Sequence, residues 1–318
     1  MSRFLAVLAV LLLATAASAQ PAPSLTGAAP IYLRQAESQD VTIAGANLAG
    51  ASAVFLTDAR GLTAQLLPDD KPAANRVKLR LAAASDAALG LREMRVVTPL
   101  GVTPPLAVAV GQYPALRDDD ATKHPADRPQ PATFPATIVG RIETPGDADA
   151  FKFDAKKGQR LVFDVYAARL NAPLDPVVTV VDAKGREQPR TLTARPAGDA
   201  AVLFDVPADG AYTLVLRDVQ YRGGNDFAYR VDAGQIPLVE SILPAGGRRG
   251  TKVEVRAVGH NLGDDPVTTV DLTGAAAGTT EVRFKTPFGW SNDVPFVVTD
   301  VQQVAEKPAG PKDKDPKK

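Results

Sequence analysis

Pro145-Gly146-Asp147-Ala148-Asp149-Ala150-Phe151-Lys152-Phe153 decides how the middle of this chain reads. A Pro-Gly turn with two acids two residues apart leads into a strand, and side chains alternate along a strand, so Phe151 and Phe153 share a face. The surrounding stretch, residues 132–234, repeats the pattern. Leu161, Phe163 and Val165 alternate, as do Tyr212, Leu214 and Leu216, and then Phe227, Tyr229 and Val231. The β-branched run Val177 to Val181 predicts a strand buried on both faces. Turn signals close these runs at Asp182-Ala183-Lys184-Gly185 and Pro207-Ala208-Asp209-Gly210. Short strands with turns at this spacing predict a β-sandwich.

Working outward, the flanks repeat each other. Gly45-Ala46-Asn47-Leu48 returns as Gly259-His260-Asn261-Leu262, and Thr98-Pro99-Leu100-Gly101 as Thr286-Pro287-Phe288-Gly289. Each copy then runs into an apolar strand, Leu106 to Val110 and Val294 to Val298. Asn47 to Thr98 spans 51 residues but Asn261 to Thr286 only 25, so the second copy lacks strands or has trimmed loops. Gly and Asn tolerate positive φ, which suits a tight turn after the first strand, and Thr-Pro-x-Gly is hairpin chemistry. Both motifs read as fold determinants. Helical signal is weak, with one turn of helix expected within Ala83 to Leu91.

Bulk composition narrows the function classes. Arg3, the apolar run Phe4 to Leu13 and the small residues Ala17-Ser18-Ala19 read as a secretory signal peptide. No later apolar stretch is long enough to predict a membrane-spanning helix. Lys plus Arg and Asp plus Glu are equal at 36 each, which gives no field for nucleic acid. The chain has no Cys, so neither a disulfide framework nor a thiol nucleophile is available. Its two His, His124 in a linker and His260 in an expected turn, build no recognisable catalytic motif. The expected organisation is a signal peptide at 1–19, an immunoglobulin-like domain at 20–111 and a Pro-rich linker at 112–132. A β-sandwich at 133–234, a shorter immunoglobulin-like domain at 235–300 and a solvated tail at 301–318 follow. The fold class is all-β, tandem β-sandwiches.

The middle segment resembles the bacterial pre-peptidase C-terminal (PPC) domain, a jelly-roll-type sandwich of secreted proteins. The resemblance is carried by Ile138-Val139-Gly140-Arg141-Ile142, Pro145 to Phe151, Lys157-Gly158-Gln159-Arg160-Leu161, Asn171 to Pro176 and Gly210-Ala211-Tyr212. The flanking repeats resemble IPT/TIG-type immunoglobulin-like domains through Ile242 to Gly247 and Gly259 to Leu262. Some members of the PPC family hold Ca²⁺, which implies Asp147 and Asp149 as ligands. The segment leading into the domain departs from the family pattern at Ala121 to His124, with Asp118, Asp119 and Asp120 a few residues earlier. Two acids alone fall short of the six to eight oxygens Ca²⁺ takes, so no cofactor is expected unless further acids join. Trp290, the single Trp, and Phe288 beside it are the candidate binding residues.

Together these readings predict a non-enzymatic, exported protein of the periplasm, cell surface or extracellular space. Its expected work is adhesion or assembly against an envelope or extracellular protein or polysaccharide. The alternatives are a carbohydrate-binding module, Ca²⁺-assisted or not, and an accessory protein of a secreted peptidase or other hydrolase.

Overall fold

The computed structural model describes residues 21–25, 31–68, 73–118 and 128–301. The signal segment, Asp119, Asp120, the 121–124 run with His124 and the tail beyond Val301 lie outside the described residues. The described chain is almost wholly β, organised around three separate apolar cores.

The first unit is a two-sheet sandwich. One sheet orders the strands Ser24–Leu25, Ser38–Ala46, Arg76–Ala83 and Leu62–Leu66. The other orders Ile31–Arg34, Leu106–Gly111, Gly90–Thr98 and Ala53–Leu56, with Ile31–Arg34 parallel to its neighbour. Alternation delivers Ile43, Leu79, Leu81, Met94, Val96 and Val108 to the space between them.

The third unit repeats this plan with two strands removed. Leu238–Leu243, Lys252–His260 and Val267–Asp271 form one sheet, and Gly246–Arg248, Val294–Thr299 and Gly278–Val282 the other. Nothing corresponds to Ala53–Leu56 or Leu62–Leu66. The shorter spacing between the repeated motifs is therefore a loss of strands, not of loop alone.

The repeated motifs match almost atom for atom. The Thr98 hydroxyl donates to Gly101 O at 3.1 Å and accepts from Leu100 N at 3.2 Å. Thr286 does the same with Gly289 O at 2.9 Å and Phe288 N at 3.1 Å. Asn47 and Asn261 sit at φ 58° and 54°, the left-handed region expected of them. Each then donates its amide to the carbonyl ahead of the preceding strand, Ala22 O at 3.1 Å and Ile236 O at 2.9 Å. The two glycines are needed for a different reason than turn geometry. A Cβ on Gly45 would lie 2.1 Å from Ser24 O, and one on Gly259 2.0 Å from Leu238 O. They are glycine so that two strands can close. Gly259→Ala is expected to cost about 3 kcal/mol in urea denaturation, against under about 0.5 kcal/mol for the exposed neighbour Val258→Ala.

The middle unit pairs a six-stranded sheet with a four-stranded one. The first runs Ala115–Arg117, Ala136–Arg141, Ala228–Gly234, Arg160–Tyr166, Ala200–Asp205 and Thr191–Ala194. The second runs Gln130–Pro131, Ala148–Ala155, Gly210–Asp218 and Pro176–Asp182. Residues 115–117 and 130–131, inside the Pro-rich segment, are thus edge strands, each parallel to its neighbour. Phe151 and Phe153 do share the inward face. Ring centroids 5.0 Å apart for Phe134–Phe153 and 5.1 Å for Phe204–Tyr212 show how aromatic this core is.

Two expectations are reversed. Pro176–Asp182, the last strand of its sheet, buries only Val178 and Val180 fully and leaves its other residues half-buried. Arg160–Tyr166 alternates in sequence yet is buried on both faces. Leu161, Phe163 and Val165 enter the core, while Val162 on the far side meets Ile236 and Leu238 from the third unit. Nor do residues 83–91 form a helical turn. Ala84 N donates to Gly61 O at 2.8 Å and Ala88 N to Arg60 O at 3.2 Å, so these amides serve a neighbouring loop. Among the described residues the helical elements are two short 3₁₀ turns, Ala168–Leu170 and Pro196–Gly198.

Candidate functional site at a three-way junction

The three units are fastened where the first leads into the second. Gln112 follows the strand Leu106–Gly111, and its amide makes a two-way clamp on the backbone of Trp290. Nε2 donates to Trp290 O at 2.7 Å, and Trp290 N donates to Oε1 at 2.8 Å. The Tyr113 hydroxyl donates to Phe288 O at 3.3 Å, and Tyr113 O accepts from the Tyr32 hydroxyl at 2.6 Å. On the other side Asn261 donates to Arg160 O at 3.0 Å, and Thr193 donates to Glu240 at 2.9 Å. Polar bonds around a small apolar patch of Val162, Leu203 and Leu238 make this seam.

A cavity of about 390 Å³ opens at the meeting point, with walls from all three units. Its middle-unit wall is a stack of charge and ring. Arg169 and Arg230 place their guanidinium carbons 3.5 and 3.9 Å from the Tyr166 ring centroid, so the ring lies between two cations. Arg169 donates to Asp199 at 2.7 Å and to Asp164 at 2.8 Å. Arg195 reaches Asp164 at 3.2 Å. Arg230 donates to Asp232 at 2.5 Å, and Asp232 accepts from Thr137 at 2.7 Å. Burial pushes the Tyr166 and Tyr113 hydroxyls up, and that of Tyr32 up to about 12, so all three are neutral donors at physiological pH.

The opposite wall joins the first and third units. Arg92, at the start of the strand Gly90–Thr98, is 6% exposed and donates to the backbone carbonyls of Ala88 and Leu91. Burial pulls its guanidinium below the usual range. Arg283 pairs with Asp293, and a Cβ at Gly90 would fall 3.1 Å from Arg283 Nη2 and 3.2 Å from Asp293 Oδ2. Burial pushes Asp293 up to about 6, against the opposing pull of Arg283 and Arg92. A carboxyl whose folded value exceeds its unfolded value near 3.9 holds its proton more tightly when folded. It therefore costs stability as pH rises between about 4 and 6, and no further change follows above that window. Asp293→Asn is expected to remove this slope. Relative to wild type, urea denaturation across that range should show it gaining about 1–2 kcal/mol, a value reduced for the residue's partial exposure.

The sequence-predicted residues divide. Trp290 and Phe288 belong to the junction, with backbones held by Gln112 and Tyr113, and the residues are 41% and 37% exposed. Trp290 lines the cavity. Phe288 lines a second recess beside Phe134 and Leu161. Asp147 and Asp149 lie in the middle unit, away from the lining of both. Asp147 closes its own turn, accepting from Glu143 N and Ala148 N at 3.0 Å each. Asp149 is buried on the inward side of the strand Ala148–Ala155. Among the described residues no three His, Cys, Asp or Glu side chains gather in a metal-holding group. His260 is the last residue of a strand, not a turn residue. Its Nδ1 lies 3.1 Å from Arg160 Nη1 and its Nε2 3.3 Å from Glu240.

The residues that sequence reasoning missed are Arg92, Tyr166, Arg169 and Arg230. They come from strands and turns far apart in the chain. The available signal is charge inside otherwise apolar strands, as in Ala228-Tyr229-Arg230-Val231-Asp232.

No protein-family model and no curated protein matches the chain. Solved structures similar to it include the D00–D0 domain of intimin, at 11% identity over 86% of this chain and 99% of that one, TM-score 0.22. Domains 5–6 of the S-layer protein SbsC match at 8% identity over 88% and 100%, TM-score 0.23. The titin I-band fragment I67–I69 matches at 10% identity over 88% and 99%, TM-score 0.20. The class rests on the chain's own strand order and cores: an all-β protein of tandem sandwiches with immunoglobulin-like flanking units. Among the described residues no helix is long and apolar enough to cross a membrane.

Proposed function

We propose that this chain is an exported, non-catalytic protein of adhesion or assembly, with a PPC-like middle sandwich flanked by IPT/TIG-like units. The observation that carries the reading is the clamped junction. Gln112 and Asn261 bind backbone atoms across unit boundaries, so three sandwiches present one body with a recess at its centre. Sandwiches with fixed relative positions lose less freedom when they meet a partner than loosely strung ones. The signal-like leader fits an exported setting. Purified residues 20–318 are expected to bind isolated envelope material saturably while turning over neither peptide nor glycoside substrates. Turnover that disappears in His260→Ala would replace the reading with a hydrolase.

A further inference from the structure

The two flanking units carry the same hairpin, and in the third unit it holds a partner. Val97 lies opposite Val102 in one copy and Lys285 opposite Trp290 in the other. Thr103 N donates to Val96 O at 3.0 Å, as Ser291 N does to Phe284 O at 2.9 Å. Hydrogen bonding alternates along an antiparallel pair, so Val102 and Trp290 both turn their N–H and C=O outward. At Trp290 the Gln112 amide takes both atoms, and the nearby Phe288 O accepts from the Tyr113 hydroxyl. At Val102 neither atom has a partner among the described residues.

The space above the two hairpins differs in the same way. A Cβ on Gly289 would lie 2.7 Å from Gln112 Oε1, whereas the nearest atom to a Cβ on Gly101 is Pro23 Cδ at 3.9 Å. The first-unit surface is also the more apolar. Pro99, Leu100, Gly101, Val102, Pro104 and Pro105 are all exposed. Gly289, Asn292 and Asp293, which stand at the places of Gly101, Pro104 and Pro105, are half-buried. A contiguous exposed apolar stretch around one open donor–acceptor couple has the make-up of a contact surface. None of its residues is charged, so the partner is selected by shape and hydrogen bonding. The matching copy supplies the chemistry: a primary carboxamide both donates and accepts, which neither a carboxylate nor an ammonium can do.

We propose that residues 99–105 dock an extended segment of a partner protein in which a glutamine is followed by an aromatic residue. The glutamine amide pairs with the Val102 backbone, and the aromatic residue reaches Leu100 as Tyr113 reaches Phe288. The surface belongs to the first unit alone, so this goes beyond the junction. A second copy does not supply the segment, because each chain's Gln112 and Tyr113 are already engaged within it.

The probe is an acetylated and amidated copy of residues 110–114, Val-Gly-Gln-Tyr-Pro, added to residues 20–318. In amide NMR spectra it is expected to shift Gly101 and Val102 saturably. Trp290 is expected to stay in place, because the tethered Gln112 outcompetes a free peptide. Exchanging the peptide's glutamine for glutamate removes the donor and is expected to weaken binding about fivefold. Gly101→Ala sets a Cβ where the amide must approach and is expected to weaken it about tenfold. Gly101 sits at φ 124°, where alanine is strained, so Leu100→Ser tests the same surface on an exposed side chain without that strain. It is expected to bind about threefold more weakly. Absence of any saturable shift overturns the proposal, and so does a shift confined to Trp290. Equal affinity for the glutamate peptide, or unchanged affinity in both variants, overturns it as well.

Discussion

Asp199→Ala is expected to lower the unfolding free energy by about 3–5 kcal/mol, the range for stripping one partner from a buried, hydrogen-bonded ion pair. The Asp199 carboxylate is almost wholly out of solvent and bonds four N–H groups of one short segment. Oδ1 accepts from Ala167 N at 3.1 Å and Ala168 N at 2.8 Å. Oδ2 accepts from Arg169 N at 3.2 Å and Arg169 Nε at 2.7 Å. It thereby anchors the 3₁₀ turn Ala168–Leu170 and aims Arg169 at Asp164 and the Tyr166 ring. Alanine leaves these donors buried without an acceptor. Asp199→Asn keeps the shape and one acceptor oxygen, so urea denaturation is expected to show a loss of only about 1–2 kcal/mol. Equal losses for the two variants would mean that packing, not the carboxylate, holds the turn.

The second large effect is at Asp218, the last residue of the strand Gly210–Asp218 and fully buried. It accepts from Asp175 N at 3.1 Å, Gln220 N at 2.8 Å and Arg222 N at 3.1 Å. Arg222 adds its Nε at 3.1 Å and Nη2 at 2.9 Å. Burial alone would raise this carboxyl. The Arg222 guanidinium and the three backbone amides overcome burial and hold it well below the usual carboxylate range. A carboxyl depressed on folding contributes stability above its unfolded value near 3.9 and loses it as pH falls toward the folded value. Asp218→Asn is therefore expected to cost about 3 kcal/mol at pH 7 and progressively less below pH 4. Calorimetric melting of wild type and variant from pH 7 down to pH 2 should bring the two curves progressively closer. Curves that stay parallel would show that the ionised form carries no such role.

The sequence revealed local chemistry well and surroundings poorly. The Thr-Pro-x-Gly turns act through atoms a few residues away, and Asn47 and Asn261 take the left-handed φ that their pattern predicts, whereas the Asn261 bond to Arg160 O in the middle unit has no local signature. Arg160–Tyr166 and Pro176–Asp182 exchanged their expected burial because cover on the outer face comes from elsewhere. Ile236 and Leu238 cover the first, whereas the second, last in its sheet, keeps its alternate residues half-buried. No periodicity within either strand holds that information. Trp290 and Phe288 were legible because large aromatics in a turn are conspicuous. Arg92, Tyr166, Arg169 and Arg230 were not, since each alone is an ordinary charged or aromatic residue and only convergence makes them a site. The acids at Asp147 and Asp149 stood out in sequence for the converse reason. They are close in the chain, yet the structure employs Asp147 in closing a turn and places Asp149 on the inward side of a strand.

The two strands missing from the third unit acquire a meaning beside the first. In the first unit Phe55, on the strand Ala53–Leu56, lies opposite Arg95 in the sheet. The repeat places Arg283 where Arg95 stands, with no strand alongside. What approaches Arg283 instead is the backbone of Gly90, a residue of the first unit that has no side chain to keep them apart. Gly90 is thus a point where the first and third units touch, and a side chain there would press on the Arg283–Asp293 pair.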